Sequence, residues 1–138
     1  MSVQIKSLSN TVPAKDISLV APLDTFNIIP TANEVYDLYS APNDAINSNK
    51  KAAIVKSIRV INTHATSTVK VNLYFNRPNA SGQNRRRALI TADTALLPGY
   101  SLIDEGEITL EPGDKIQGKA DTANVIQYLI SGVERDAT

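Results

Sequence analysis

One histidine, His64, and no cysteine stand in a chain of 138 residues, and those two counts remove much of the chemistry open to a small protein. Two-histidine metal sites and cupin-type centres need more than one imidazole. Thiolate catalysis, zinc-cysteine sites and disulfides need cysteine. A Ser-His-Asp triad would have to recruit His64, yet no G-x-S-x-G elbow surrounds any serine. Set between Thr63 and Ala65 in a polar turn, His64 reads as an exposed loop residue.

The carboxylates Asp104, Glu105 and Glu107, with Glu111 and Asp114 close behind, are the next candidates. Such a group can supply a glycosidase pair or hold calcium. A sugar cleft is usually lined by aromatic rings, and this chain has no tryptophan and 5% aromatic residues. The spacing also lacks the D-x-D-x-D-G pattern that wraps calcium. Solvated turns are the expected role. Neither phosphate-binding glycine motif occurs, so no nucleotide or other cofactor is expected, and the chain reads as a non-enzyme.

Arg85-Arg86-Arg87 is the sharpest basic feature, and three readings of it are open. Contact with nucleic acid is disfavoured by a formal net charge of zero and by the absence of an interleaved aromatic residue for base stacking. An anchor for carboxylates of a neighbouring subunit would use arginine's planar fork. A solvated loop is the third. Charge order bears on the choice: from Lys50 to Arg87 every charged residue is basic, and from Asp93 onward acids dominate. On separate faces these blocks would favour head-to-tail association, with Arg85, Arg86 and Arg87 meeting Asp104, Glu105 and Glu107 of a neighbour. Interleaved in one sheet they would only neutralise each other across strands.

The elements that must carry these residues are strands. Val69, Val71, Leu73 and Phe75 alternate with Lys70, Asn72, Tyr74 and Asn76, which puts one set on each face of a sheet. Ile58 and Val60 alternate in the preceding strand, where Ile54-Val55-Lys56 breaks the register as a β-bulge or a two-sided burial would. Read together, Ala52–Phe75 is expected to form a central hairpin turning at 62–67. Asn124–Glu134 places Val125, Leu129 and Val133 on one face and Ile126, Tyr128 and Ile130 on the other, so both faces are expected to be covered. Pro98-Gly99 and Pro112-Gly113 suit type II turns, since glycine accepts positive φ. The segment 77–87 is expected to be a long exposed loop.

Residues 1–50 have a different texture. Pro13, Pro22, Pro30 and Pro42 interrupt runs such as Ile17–Val20 and Phe26–Ile29, which predicts short edge strands or an extended arm. Val35 to Tyr39 alternate well enough for a strand. Helical windows are too short to matter. No stretch approaches the roughly 18 apolar residues of a membrane span, and the N-terminus lacks an apolar signal core, so a soluble protein is expected. Many short strands with turns every 8–12 residues or so predict an all-β, jelly-roll-like antiparallel sandwich. One domain is expected, with residues 1–50 as N-terminal arm and edge strands and 51–138 as the sandwich core.

AAIVKSIRVINTHATSTVKVNLYF, ALLPGYSL, ITLEPGDKIQGKA and ANVIQYLISGVE together resemble small virion proteins of tailed bacteriophages, most of all capsid decoration (cement) proteins. The resemblance spans about residues 50–134. It implies a homotrimer at a local symmetry axis of the capsid surface, tying major capsid proteins together, with residues 1–50 reaching a neighbour. It implies no nucleic-acid or membrane partner, and synthesis in the host cytoplasm before assembly. A runner-up is a carbohydrate- or receptor-binding sandwich at a tail or fibre, for which Tyr36 with Tyr39 or Tyr100 would form a platform; half-buried sheet positions are the simpler expectation for these tyrosines.

Overall fold

The computed structural model describes the backbone of residues 3–7 and 14–15 and all of residues 27–137. Apart from those two segments, residues 1–26, Ile17–Val20 and Phe26 among them, lie outside the described residues, whereas 27–50 of the expected arm are described. The described residues form twelve strands: β1 (Val3–Ser7), β2 (Ala14–Lys15), β3 (Tyr36–Ser40), β4 (Asn43–Asp44), β5 (Asn49–Asn62), β6 (Val69–Asn76), β7 (Arg86–Ala88), β8 (Thr94–Leu96), β9 (Ser101–Asp104), β10 (Ile108–Leu110), β11 (Lys115–Ala120) and β12 (Ile126–Asp136).

These build two antiparallel sheets that face each other as a jelly-roll-like sandwich. The first runs β1-β12-β5, with β9, β10 and β4 placed along β5; the second runs β2-β3-β11-β6, with β7 and β8 along the far edge of β6. β1 pairs with β12 and β2 with β3, so the start of the chain contributes a strand to each sheet. Chain direction and alternation set the core. Val55, Ile58 and Val60 from β5 and Ile126 and Ile130 from β12 are buried toward Val69, Val71 and Leu73 of β6 and Ile116 of β11. Each such aliphatic side chain contributes about 1.5–3 kcal/mol by leaving water.

The expected central hairpin is not there. β5 pairs with β12, β9 and β10 in one sheet, whereas β6 pairs with β11, β7 and β8 in the other, so residues 62–69 arch across the sandwich. The reason is that each strand has one strongly apolar face. Side by side they would share one half-covered surface; across the core each face covers the other. Asn62, fully buried, staples the arch: its Nδ2 donates to Ser67 O and Leu96 O at 2.9 Å each, and its Oδ1 accepts His64 N–H at 2.9 Å. His64 finishes the turn by accepting the Thr66 and Ser67 N–H groups at Nδ1.

The broken register near Ile54–Lys56 is a bulge. Ser131 opposes Ser57 while Gly132 opposes Val55, which leaves Lys56 as the extra residue. Both Pro-Gly turns form as their composition demands: Gly99 (φ 75°) and Gly113 (φ 91°) sit left-handed, with Tyr100 N–H to Leu97 O at 3.0 Å and Asp114 N–H to Glu111 O at 2.9 Å. Asn124–Glu134 is covered on one side only. Ile126, Tyr128 and Ile130 are buried, and Leu129 on the opposite face is 44% exposed.

Candidate functional site

Among the described residues no cluster of three or more histidines or carboxylates has the proximity to hold a metal, and no helix is long and apolar enough to cross a membrane. The acidic run is used locally. Asp104 Oδ1 accepts Gly106 N–H at 2.9 Å and shapes the β9–β10 turn, Glu107 pairs with Lys56 at 2.7 Å, and Glu105 is exposed.

The three arginines go to three different environments. Arg86 is in a strand, half-buried, and its Nε donates to Gln117 Oε1 at 2.7 Å; the fully buried Gln117 passes the contact on through Nε2 to Asp37 Oδ1 at 2.7 Å. Asp37 also pairs with Lys115 at 3.1 Å. This chain of partners lies across β7, β6, β11 and β3 on the outer side of the second sheet, so Arg86 has a role within the fold that a loop assignment did not foresee. Arg87 is exposed and donates to the carbonyl of Arg86. Arg85 is exposed, with Nε to Arg77 O at 2.9 Å and Nη2 to Pro78 O at 3.4 Å.

The basic and acidic blocks meet within one subunit at several places. Arg77 forks onto Asp114, with Nε 3.0 Å from Oδ1 and Nη2 2.7 Å from Oδ2, and Nη2 lies 3.8 Å from Glu111. Lys51 meets Asp136 at 2.8 Å. The Asp114 carboxylate pushes the Arg77 guanidinium above its ordinary range, and the hydrogen bond to Asp136 does the same for the Lys51 amine. None of these pairs joins Arg85, Arg86 or Arg87 to Asp104, Glu105 or Glu107.

Two surfaces remain as candidates for binding. The first is the outer face of the first sheet. Register places Leu129 beside Arg59 and Arg59 beside Ile103 in one row across β12, β5 and β9; the next row brings Ile61 between Gln127 and Ser101, and on the other side, beyond Ser57 and the bulge, Ile54 lies between Val133 and Thr109. Leu129 (44%), Ile103 (46%) and Ile54 (36%) are exposed although all are large and apolar. Shallow hollows of about 70 and 140 Å³ lie on this face, one beside Ile54 and Val133, the other beside Arg59, Ile61 and Leu129. Among the described residues no carboxylate pairs with Arg59. An open sheet face that sets Leu129, Ile103 and Ile54 among the cations Arg59 and Arg135 is a surface that another molecule can dry. Sequence reasoning missed it by expecting cover on both sides of β12; the apolar residues at alternate positions of three separate strands were the available signal.

The second is a polar cleft of about 400 Å³ at one end of the sandwich, between the 77–85 loop and the Glu111–Asp114 turn. Arg77, Arg85, Glu111, Asp114 and Asn43 supply its polar walls, and Pro78 and Pro112 its apolar ones. The loop is braced by Asn79, whose Oδ1 accepts Ser81 N–H and Gln83 N–H. The turn is braced by Asp114 Oδ2, which accepts Glu111 N–H at 2.8 Å.

The tyrosines do not assemble a platform. Tyr36, Tyr39 and Tyr128 are buried, Tyr74 is half-buried, and Tyr100 is exposed at 61%. Burial raises the Tyr39 hydroxyl above its usual range, reinforced by its hydrogen bond to Glu134; burial alone raises Tyr128.

No protein-family model matches the chain, and no curated protein matches it. Among solved structures it aligns with the CBM22-1 xylan-binding domain from Paenibacillus barcinonensis Xyn10C, at 12% identity and a TM-score of 0.41 over 96% of this chain and 80% of that one. It also aligns with Eiger TNF from S. frugiperda, at 11% identity and a TM-score of 0.31 over 97% of this chain and 87% of the other. At these values neither alignment carries a functional argument.

Proposed function

We propose that this protein is a non-enzymatic structural subunit of a tailed-bacteriophage virion, a capsid decoration protein that docks on the major capsid shell through the outer face of its first sheet. The observation that supports the reading is the exposed row Leu129-Arg59-Ile103, with Ile54 farther along the same face. Completing the burial of three large apolar residues, each already about half covered, contributes roughly 1 kcal/mol apiece. That sum falls short of the 4–15 kcal/mol or so that association of two bodies loses in freedom. A single such contact is therefore weak, and firm retention on a shell calls for several linked copies, which is what a homotrimer presents.

The test is co-sedimentation of the purified protein with undecorated capsids, alongside its mass in solution by light scattering at low and high salt. The expected result is a trimer that pellets with the shell, and a Leu129→Ser, Ile103→Ser variant that keeps its thermal midpoint but stays in the supernatant. Wild-type protein that fails to pellet, or a variant that pellets equally well, overturns the reading.

A second reading, a carbohydrate- or receptor-binding sandwich at a tail or fibre, is favoured by the polar cleft at the 77–85 loop. It gains nothing from the tyrosines, of which only Tyr100 is exposed among the described residues.

A further inference from the structure

We infer that the cleft between the 77–85 loop and the Glu111–Asp114 turn is a binding site for a neutral saccharide, in which Arg85, Glu111 and Asn43 meet hydroxyl groups and the rings of Pro78 and Pro112 meet the C–H faces of the sugar. This rests on the second reading above and narrows it to one place and one ligand class.

Arg77 and Arg85 stand against Glu111 and Asp114, so the cleft sums to zero and has no net pull on a free ion of either sign. Arg77 is spent on Asp114, and the Asp114 carboxylate is saturated by that fork and by Glu111 N–H. What faces the opening is the remainder. Arg85 has Nε and Nη2 tied to carbonyls, and among the described residues no carboxylate lies within ion-pairing distance of it, which leaves Nη1 to donate. Glu111 has a side chain 70% exposed, with Arg77 at 3.8 Å as its nearest cation, which leaves it to accept. Asn43, packed against Gly113, offers an amide that does both.

A donor, an acceptor and an amide lining one cleft match a pair of hydroxyl groups, each of which donates and accepts at once. An anion would meet Glu111 as repulsion, and a cation would meet Arg85. The volume of about 400 Å³ lies in the usual range of small-ligand sites, roughly 300–1,000 Å³. Both walls are braced before any ligand arrives, the loop by Asn79 and the turn by Asp114, so little ordering is left for binding to supply.

The experiment has two stages: a broad array of immobilised glycans, then titration of ¹⁵N-labelled full-length protein with the captured sugar and, separately, with inorganic phosphate and glucuronate. The expected result is capture of a neutral glycan, with saturable shifts of the Gly113 amide, the Asn43 side-chain amide and the Arg85 Nε–H. Arg85→Ala and Arg85→Lys should each weaken binding about tenfold or more, since a charge-assisted hydrogen bond is lost or misdirected, while the urea midpoint holds. Shifts with phosphate or glucuronate and none with neutral sugars overturn the ligand class. A captured glycan whose shifts map around Tyr100 overturns the cleft and leaves the carbohydrate reading standing. An array with no neutral glycan bound overturns both.

Discussion

Removing the Arg77 guanidinium is the perturbation that says most about how the cleft is held together. Asp114 is 3% exposed, and among the described residues its carboxylate accepts from the Arg77 guanidinium and from Glu111 N–H. Truncating one partner of a fully buried pair costs about 3–5 kcal/mol, and an exposed pair is worth about 0–1. The Arg77 side chain is 44% exposed, so water re-solvates part of what it leaves, and about 2 kcal/mol is the expected loss for Arg77→Ala. Asp114→Asn keeps an oxygen for Glu111 N–H and is expected to cost about 1 kcal/mol. Once Arg77 is gone, neutralising Asp114 relieves a buried charge, so the double variant should lose about 2 kcal/mol rather than 3, a coupling of about 1. Urea unfolding at constant slope reads this directly: at about 2 kcal/mol per molar, Arg77→Ala lowers the midpoint by about 1 M. Because Asp114 is buried, the coupling should survive roughly 0.5 M salt. Coupling below about 0.3 kcal/mol, or its disappearance in salt, would refute the claim that this pair is a structural clamp.

Three further substitutions probe the core, the second sheet and the Asp44 turn. Gly118→Ala should cost about 1–3 kcal/mol, because a Cβ there would stand 2.7 Å from Leu38 Cδ1 in the core; an unchanged thermal midpoint would show that Leu38 moves aside freely. Arg86→Ser should destabilise by about 1–3 kcal/mol by taking the Arg86 donor from buried Gln117, whereas Arg87→Ser should stay within about 0.5; equal urea midpoints for the two would contradict the assignment. Asp44 is held below the usual carboxylate range by the Asn47 side chain and by the Asn47 and Ile46 N–H groups, so its contribution is present above the unfolded value near 3.9 and is lost as pH falls through the folded one. Wild type should therefore exceed Asp44→Asn in stability at pH 6 and converge with it in acid, and a gap that is constant with pH would rule this out.

The Arg86 result bears on the interaction role the arginine triplet suggested. A variant with all three arginines changed to serine confounds contact loss with loss of the Gln117 partner; Arg87→Ser is the substitution that reports most directly on surface contacts, whereas Arg85→Ser also releases the Arg77 and Pro78 carbonyls. Nothing in the local sequence separates the three, because which of them turns inward depends on where β7 meets β6: Asn76 opposes Arg86, and Arg86 thereby shares the outer face of the sheet with Gln117.

What the sequence determined by itself was local. Period-two alternation from Val69 to Phe75 made β6, the interrupted run at Ile54–Lys56 made the bulge, and Pro98-Gly99 and Pro112-Gly113 made two turns, since each follows from backbone and side-chain preferences within a few residues. An all-β sandwich followed from the number and spacing of such pieces. Strand partners were decided by the tertiary structure. Alternation says that a strand has a wet face and a dry face but is silent on what lies beside it, so Ala52–Phe75 read as a hairpin when its halves belong to opposite sheets. The same limit hid both candidate surfaces. Leu129, Arg59 and Ile103 come from three separate strands, and Arg77 and Asp114 stand 37 residues apart in the chain. Only the closure of the sandwich brings them together, leaving one sheet face open to solvent and folding a basic loop against an acidic turn.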